Sequence, residues 1–307
     1  MKTKTPKQNL EKKVGIEIIK EQKGQIKDLE VQLKKSNKET GRFREIVTSM
    51  SEKRDYIIPT KNKSNTLRFG VIGDTHIGSL YERADALQEF YKILKKEKIN
   101  LVLHAGDVLA GHHMFRGQEY EVYALGFDRQ KEAFIKNYPE IEGIHTYFIT
   151  GNHDASFKRN GGINVGKELE ASKKNFHYIG EDFADVVFKV GKKKAHYQLI
   201  HPDGGTPYAV SYRAQKIIES YSGGKKPRAV FIGHLHKADY MPMFRNVKSL
   251  LVGCFESQTP FMARKPTPAH VGGWIIEDTL GNGLSDRMKA EFIAFYEPLK
   301  VKNIKRR

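Results

Sequence analysis

Five short polar clusters in this sequence combine aspartate, asparagine and histidine, side chains that can hold divalent metal ions. They read Gly73-Asp74-Thr75-His76, Gly106-Asp107, Gly151-Asn152-His153-Asp154, Ile200-His201-Pro202 and Gly233-His234-Leu235-His236. Each cluster alone is weak evidence, because an aspartate after a glycine is more often a turn residue or a helix cap. Five together make coincidence a poor explanation, and their mixture of oxygen and nitrogen donors suits manganese, iron or zinc.

An apolar run precedes every cluster, which places the clusters at the ends of predicted strands. The predicted strands are Leu67–Ile72, Leu101–Ala105, Ile144–Thr150, Val186–Val190, Tyr197–Ile200, Ala229–Ile232 and Leu250–Val252. The predicted helices are Ala84–Lys96, Val122–Tyr138, Gly166–Lys174 and Tyr208–Tyr221. This alternation is typical of an α/β fold with a mixed sheet. Because such sheets bind ligands at the carboxyl ends of their strands, we expect the clusters to meet there.

Composition divides the chain further. We predict four segments: a basic helical arm at 1–50, a linker at 51–65, the globular domain at 66–297 and a basic tail at 298–307. In the arm, apolar residues follow the spacing of an imperfect coiled-coil seam at Ile19, Ile26, Leu29 and Leu33. A homodimer is therefore conceivable through this helix or through the globular domain.

The overall composition is that of a basic globular protein. The 307 residues carry 53 Lys and Arg against 36 Asp and Glu, a net charge of +17, and residues 1–65 hold 17 basic and 9 acidic side chains. Such an excess attracts polyanions, so nucleic acid is the expected partner. No stretch approaches the ~18 apolar residues of a membrane helix, and the single Cys254 fits a reducing compartment. We therefore expect a cytoplasmic protein with no membrane contact.

The order of the clusters resembles the motif series of the calcineurin-like metallophosphoesterases: D-x-H, G-D, G-N-H-[DE], a lone histidine and G-H-x-H. All five occur in this order over residues 67–255. The resemblance implies a sandwich of two mixed β-sheets flanked by helices. It also implies two divalent ions, with manganese the first expectation and iron, zinc or magnesium the alternatives. One ion would be held by Asp74, His76 and His236, the other by Asn152, His201 and His234, with Asp107 bridging them.

In such a site, two cations about 3.5–4 Å apart polarise a phosphate ester and lower the pKa of a shared water. The resulting hydroxide would attack phosphorus. The resemblance further implies that His153 hydrogen-bonds the phosphate and protonates the leaving oxygen, while Asp154 orients the His153 imidazole. Weaker candidates for substrate contact lie in two loops, and they are His112, His113, Arg264, Lys265 and His270. His104 lies inside a predicted strand and is expected to hydrogen-bond in the core.

The identity of the phosphate ester is less constrained. The form Asp74-Thr75-His76-Ile77-Gly78 is closer to the SbcD-type DNA-repair exonuclease branch than to the Ser/Thr protein phosphatases, whose Asp-Arg pair is absent. The exonuclease branch, however, usually has a further aspartate where this chain has Leu109-Ala110. It also continues into a DNA-capping domain, whereas 71 residues follow His236 here. Contacts with DNA are therefore expected from the arm and the tail.

Three hypotheses remain for the function. A metal-dependent DNA nuclease or phosphodiesterase comes first, because the basic charge and the form of the motifs agree. A small-molecule phosphodiesterase or phosphomonoesterase comes second. A nucleic-acid-binding protein with a vestigial site comes third, because a complete ligand set is difficult to explain without metal.

Overall fold

Two six-stranded sheets form the centre of the structure, a computed structural model that describes residues 56–59, 65–190, 193–205, 207–224, 226–281 and 287–297. The strands are β1 (Tyr56–Pro59), β2 (Thr66–Ile72), β3 (Leu101–Ala105), β4 (His145–Thr150), β5 (Phe176–Glu181), β6 (Phe183–Val190), β7 (Lys193–Ile200), β8 (Ala229–Ile232), β9 (Ala238–Phe244), β10 (Val247–Val252), β11 (Gly272–Thr279) and β12 (Arg287–Ala294). The helices are α1 (Ala84–Lys96), α2 (Phe127–Asn137), α3 (Ala155–Gly161), α4 (Val165–Glu170), α5 (Tyr212–Glu219) and α6 (Pro260–Arg264), with a 3-10 turn at Gln118–Tyr120.

Both sheets are mixed. Sheet I has the order β12-β11-β2-β3-β4-β5, in which β2 to β5 are parallel and β11 and β12 are antiparallel. Sheet II has the order β1-β6-β7-β8-β10-β9, in which β7, β8 and β10 are parallel. Parallel neighbours end at the same edge, so the loops after β2, β3 and β4 emerge together. The expected sandwich of two mixed sheets flanked by helices is confirmed.

Apolar side chains explain how the layers stack. In β7 the alternate residues Ala195, Tyr197 and Leu199 are buried between the sheets, as a strand with one inward face requires. Strand β3 is buried at all five positions because helices cover the outer face of sheet I. Helices α1 and α2 pack there, whereas α5 packs on the outer face of sheet II. The core therefore fixes β2, β3, β4, β7 and β8, the strands that precede the polar clusters.

The bounds of helix α1 can be predicted from sequence because apolar and charged residues mark its buried face and its two ends. Its buried residues Leu87, Phe90, Tyr91 and Leu94 recur at helical spacing and form one apolar stripe. Asp85 lies in the first turn and two lysines lie in the last, which complements the helix dipole. Among the described helices, none has the length and apolar content that a bilayer crossing requires.

Part of the segment predicted as a linker is a strand instead. Tyr56–Pro59 form β1, which pairs in parallel with β6. Aromatic and β-branched residues favour strands, and Pro59 is tolerated because β1 lies at the edge of sheet II. The predicted arm at 1–50, with its coiled-coil seam, and the predicted tail at 298–307 lie outside the described residues.

Candidate metal centre and adjoining cleft

The seven predicted metal ligands meet at the carboxyl ends of the strands. They are Asp74 and His76 after β2, Asp107 after β3, Asn152 after β4, His201 after β7, and His234 and His236 after β8. Nitrogen and oxygen atoms of the cluster form three overlapping groups, each within 4.8 Å: Asp74–His76–His236, His76–Asp107–His153 and Asp107–His201–His234. Asp107 belongs to two of these groups and lies between the other ligands. It is 1% exposed, so its charge is held away from solvent.

The contacts of His201 place an imidazole nitrogen directly against a carboxylate and an amide oxygen. His201 Nε2 lies 3.0 Å from Asp107 Oδ2 and 3.0 Å from Asn152 Oδ1. Its Nδ1 lies 2.8 Å from the carbonyl oxygen of Ala105, so Nδ1 carries the proton and Nε2 of the neutral ring presents a lone pair. A carboxylate offers no hydrogen to that lone pair. Only a proton or a metal ion among these atoms removes the repulsion.

The same conflict recurs in the other half of the cluster. His76 Nε2 lies 3.0 Å from His236 Nε2. These two nitrogens are 3.9 Å and 3.5 Å from Asp74 Oδ1. Converging imidazole nitrogens beside a buried carboxylate are a donor set that borderline divalent ions accept. The donors in both halves of the cluster therefore fit divalent cations.

Electrostatics give neighbouring imidazoles opposite preferences for a proton. Burial alone would lower the pKa of His201, but the attraction of Asp107 outweighs it and raises this pKa to about 10. Burial lowers the pKa of His76 well below its ordinary value, and repulsion from His153 and His236 lowers it further. Burial would also lower the pKa of His236, but Cys254 and Asp74 outweigh it and raise this pKa well above its ordinary value. Each half of the cluster therefore holds one imidazole that favours a proton.

The backbone at the ligands is strained. Positive φ angles between +42° and +74° occur at Asp74, His76, Asp107, His234 and His236. A non-glycine residue in this region costs about 1–3 kcal/mol, and such residues concentrate at functional sites. Hydrogen bonds hold the conformation: the N–H of His234 donates to both carboxylate oxygens of Asp74, at 2.9 and 3.0 Å. Position 151 requires glycine for a steric reason, because a Cβ there would collide with Asp107 Oδ1 and the His201 ring.

His153 lies beside the cluster with one nitrogen free. Its Nδ1 lies 2.6 Å from the carbonyl oxygen of Ala110, so Nδ1 donates a hydrogen bond. Its backbone N–H donates to Asp107 Oδ1 at 2.8 Å, which ties the two motifs together. Nε2 is therefore the ring atom available to a substrate.

The expected support of His153 by Asp154 requires a correction. The imidazole takes its hydrogen bond from a carbonyl group, as described, while the Asp154 carboxylate accepts backbone N–H groups at 2.9–3.1 Å. The donors are Val108, Leu109 and Gly151. Burial raises the pKa of Asp154 to about 7, and the repulsion of Asp107 adds to the shift. Asp154 therefore fixes the loop that carries Asp107.

The other predicted histidines do not line the space beside the cluster. His112 and His113 lie against each other, with ring centroids 3.8 Å apart. His270 accepts the backbone N–H of Ala238 at 2.9 Å and so stabilises its loop. His104 is buried and its Nε2 lies 3.3 Å from a threonine hydroxyl of the first motif, as expected of a core residue.

A cleft of about 400 Å³ opens beside the donors. Lys265 lines this cleft, and Arg264 lies at its border, 3.8 Å from Glu121 Oε1. The apolar part of its lining includes Met114, Phe115, Phe261 and Met262. These residues were not predicted from sequence because they come from a loop and from the distant short helix α6, neither of which carries a motif. The abundance of proline and aromatic residues in the loop 254–272 is the one local signal.

A family model matches residues 67–238, which is more than half of the chain, and its description is calcineurin-like phosphoesterase. The chain belongs to the calcineurin-like phosphoesterase family. The resemblance drawn from the motifs is thereby confirmed at the level of the family. Its finer assignment to the exonuclease branch stays a proposal.

The proteins to which this calcineurin-like phosphoesterase is similar differ in length and in name. The DNA polymerase II small subunit of Halobacterium salinarum is 24% identical over 241 residues, which cover 68% of this chain and 47% of that protein. The chain thus spans about half the length of the curated relatives it matches. Among solved structures, a hypothetical protein from Pyrococcus horikoshii is 10% identical, with a TM-score of 0.40. The match covers 75% of this chain and 89% of the Pyrococcus chain. The 5′-nucleotidase of Candida albicans is 11% identical, with a TM-score of 0.39 and coverages of 75% and 51%.

Proposed function

We propose that this calcineurin-like phosphoesterase is a metal-dependent hydrolase that cleaves phosphodiester bonds in DNA. The observation behind the proposal is the convergence of imidazole lone pairs on two buried carboxylates, beside the free Nε2 of His153. One cation would be held by Asp74, His76 and His236, the other by Asn152, His201 and His234, with Asp107 shared. Manganese is the ion we propose, because the donors mix carboxylate, amide and imidazole.

Divalent cations bound there supply Lewis acidity and lower the pKa of water, which provides a nucleophile near neutral pH. The residues of the chain do the rest. When His153 carries a hydrogen on Nε2 as well as on Nδ1, Nε2–H donates a hydrogen bond to a phosphate oxygen and can give this proton to the leaving oxygen. The Ala110 carbonyl group keeps the ring in this orientation through Nδ1–H. Asp154 keeps the Asp107 loop in place.

Charge supports DNA as the substrate. The chain carries a net charge of +17, and exposed cations border the cleft. Arg159 donates to the backbone oxygen of Asn152 at 3.3 Å and lies 3.9 Å from Met114 Sδ, and Lys265 lines the cleft wall. Such cations contact phosphates and give affinity without sequence choice. The similarity to a DNA polymerase II small subunit agrees with this substrate class.

Small phosphate esters are the second candidate. The cleft volume of about 400 Å³ lies within the range of small-molecule sites, roughly 300–1,000 Å³. A compact diester would reach the donors without using the exposed cations. Sensitivity of turnover to salt distinguishes the two candidates, because contacts with a polyanion weaken as salt rises.

The test is manganese-dependent cleavage of end-labelled linear DNA, single- and double-stranded, by the native protein and by His153→Ala. The variant keeps all seven proposed ligands, so it should retain its metal while the rate falls by about 10²–10⁴-fold. His145→Ala is the matched control, since this exposed histidine begins β4, at the strand end opposite Asn152. It should cleave like the native protein.

Two results would overturn the proposal in different ways. Native protein with confirmed metal content that hydrolyses a small diester but not DNA would replace the nuclease with the second candidate. Native protein that takes up no manganese and hydrolyses neither substrate would remove the hydrolase altogether.

A further inference from the structure

One long strand lies at an open edge of sheet I. Strand β12 pairs with β11 along all of its eight residues, in an antiparallel register without interruption. Because β12 is the last strand of sheet I, no described strand pairs with its other side. The backbone N–H and C=O groups on that side can therefore pair with a further strand.

The other three edges of the two described sheets are shorter or interrupted. Strand β1 has four residues and ends at Pro59, and β9 contains Pro242 and pairs irregularly with β10. Strand β5 has six residues, and its pairing with β4 shifts in register. Proline residues and bulges are devices by which proteins prevent pairing at a sheet edge. Strand β12 contains neither.

Apolar and charged side chains alternate along β12 and therefore lie on different faces of sheet I. Lys289 and Glu291 are exposed, and they share their face with Ile293, which packs on the side that the helices cover. The residues of the other face pack partly against the core between the sheets, and they are Met288, Ala290 and Phe292. A charged row and an apolar row thus both reach the open edge.

Two copies of β12 can pair with each other in a register that suits both rows. If Ala290 lies opposite itself in an antiparallel pair, Lys289 lies opposite Glu291, and Met288 lies opposite Phe292. Opposite charges directly across a pair of strands stabilise a sheet, whereas like charges destabilise it. A slip of two residues places either Lys289 or Glu291 opposite itself, and a slip of one residue exchanges the faces. The sequence of β12 therefore favours one self-pairing register.

Lys289 can take part in this pairing without leaving a carboxylate unmatched. Its Nζ lies 3.3 Å from Glu277 Oε1, and its side chain is 61% exposed. Arg68 Nε lies 3.7 Å from the other oxygen of Glu277, so Glu277 keeps a cation when Lys289 turns towards the edge. We propose that β12 pairs with β12 of a second copy of this chain, which joins the two copies of sheet I into one continuous sheet. This inference concerns assembly and is independent of the substrate.

Ala290→Cys tests the register in the full-length protein. In the proposed pairing the two introduced thiols face each other, with Cα atoms about 4.5–5.5 Å apart, a separation that a disulfide can bridge. Oxidation with diamide should therefore give a covalent dimer on a non-reducing gel. Met288→Cys is the matched control, because four residues of strand place its two copies about 13 Å apart. The native Cys254 is 0% exposed and should not cross-link.

Glu291→Lys tests the charges by placing a lysine opposite Lys289 twice in each dimer. The dissociation constant of the dimer, measured by sedimentation velocity over a series of concentrations, should rise about 10-fold. Lys289→Glu/Glu291→Lys restores opposite charges in reversed order and should bind within about 3-fold of the native protein. Glu132→Lys, at an exposed residue of α2, makes the same change in net charge and should leave the dimer unchanged.

Each set of results decides for or against this edge. A native protein that stays monomeric over the whole concentration series would overturn the inference. A dimer that withstands Glu291→Lys and is not cross-linked through Ala290→Cys would assemble through another surface, such as the predicted arm, and would also overturn it. Equal cross-linking of Ala290→Cys and Met288→Cys, or no recovery in the double variant, would contradict the register.

Discussion

Two buried polar clusters lie towards opposite ends of the strands and balance their charges in opposite ways. At the carboxyl ends, the carboxylates of Asp74 and Asp107 face imidazoles whose lone pairs converge. Towards the amino ends, Asp278 of β11 accepts both the Nε and Nη2 hydrogens of Arg228, at 2.9 and 2.8 Å, and the hydroxyl hydrogen of Tyr197. The second cluster is neutralised by a guanidinium group of the chain, whereas the first brings together a donor set that could hold metal ions.

Backbone strain also distinguishes the two clusters. Strained positive φ angles occur at five residues of the metal centre, and at none of Tyr197, Arg228 and Asp278. Burial of charge alone therefore does not mark a functional site, because a guanidinium partner can make a buried carboxylate purely structural. Burial combined with unmatched lone pairs and a strained backbone does mark one.

Asp107→Asn should have the largest effect, because it removes the charge shared by two ligand groups. Lewis-acid stabilisation is worth several kcal/mol and about 1.4 kcal/mol is tenfold in rate, so turnover of a small diester should fall by about 10⁴-fold. Metal content and turnover are measured together. Asp128→Asn, at an exposed residue in the first turn of α2, is the control. Normal metal content and turnover in the Asp107 variant would show that this cluster needs no outside charge.

Arg228→Met should act on stability instead. It leaves Asp278, which is 0% exposed, without its guanidinium partner, and breaking such a pair costs about 3–5 kcal/mol. Because the Arg228 side chain is 25% exposed, we expect about 3 kcal/mol from urea denaturation, with manganese binding unchanged. Arg68→Met removes an exposed pair with Glu97 at 2.6 Å and should cost less than about 1 kcal/mol. Equal losses in the two variants would contradict the role given to Asp278.

The sequence predicts most of the fold because its central strands are buried on both faces. The bounds of β3, β8 and α1 are as predicted, since continuous apolar runs and one helical stripe define them. Strands β5, β9, β11 and β12 were not predicted. Three of them, β5, β9 and β12, are edge strands with partly exposed residues, whereas β11 is a mostly buried inner strand that the prediction missed. Local hydrophobicity is a poor guide to an element that is buried on one side only.

The metal centre is readable from sequence because each ligand lies within a few residues of a strand end. The Asp278 cluster is not, since its partners Arg228 and Tyr197 are 50 and 81 residues away. The hydrogen bonds that Asp154 accepts from Val108 and Leu109 were not predicted for the same reason, since these residues are 46 and 45 positions away in sequence. Such contacts depend on how the sheets stack, and no short pattern encodes them.

Manganese should stabilise the folded protein through the first cluster alone. A ligand at 100 times its dissociation constant adds about 2.7 kcal/mol to the free energy of unfolding. Thermal denaturation with and without the metal should show this gain in the native protein and in Arg228→Met, and no gain in Asp107→Asn. A gain in Asp107→Asn would place the stabilising metal elsewhere.

The smallest effect is expected when the whole second cluster is replaced by apolar residues of similar size. In Arg228→Met/Asp278→Leu/Tyr197→Phe no charged or hydroxyl group of the cluster is left without a partner, and such replacements are often neutral. The free energy of unfolding should therefore return to within about 1 kcal/mol of the native value, above that of Arg228→Met alone. Turnover should be unchanged, because these residues lie away from the donors. If the triple variant is as unstable as Arg228→Met, these charged groups stabilise the fold beyond neutralising one another. The two clusters would then differ only in degree.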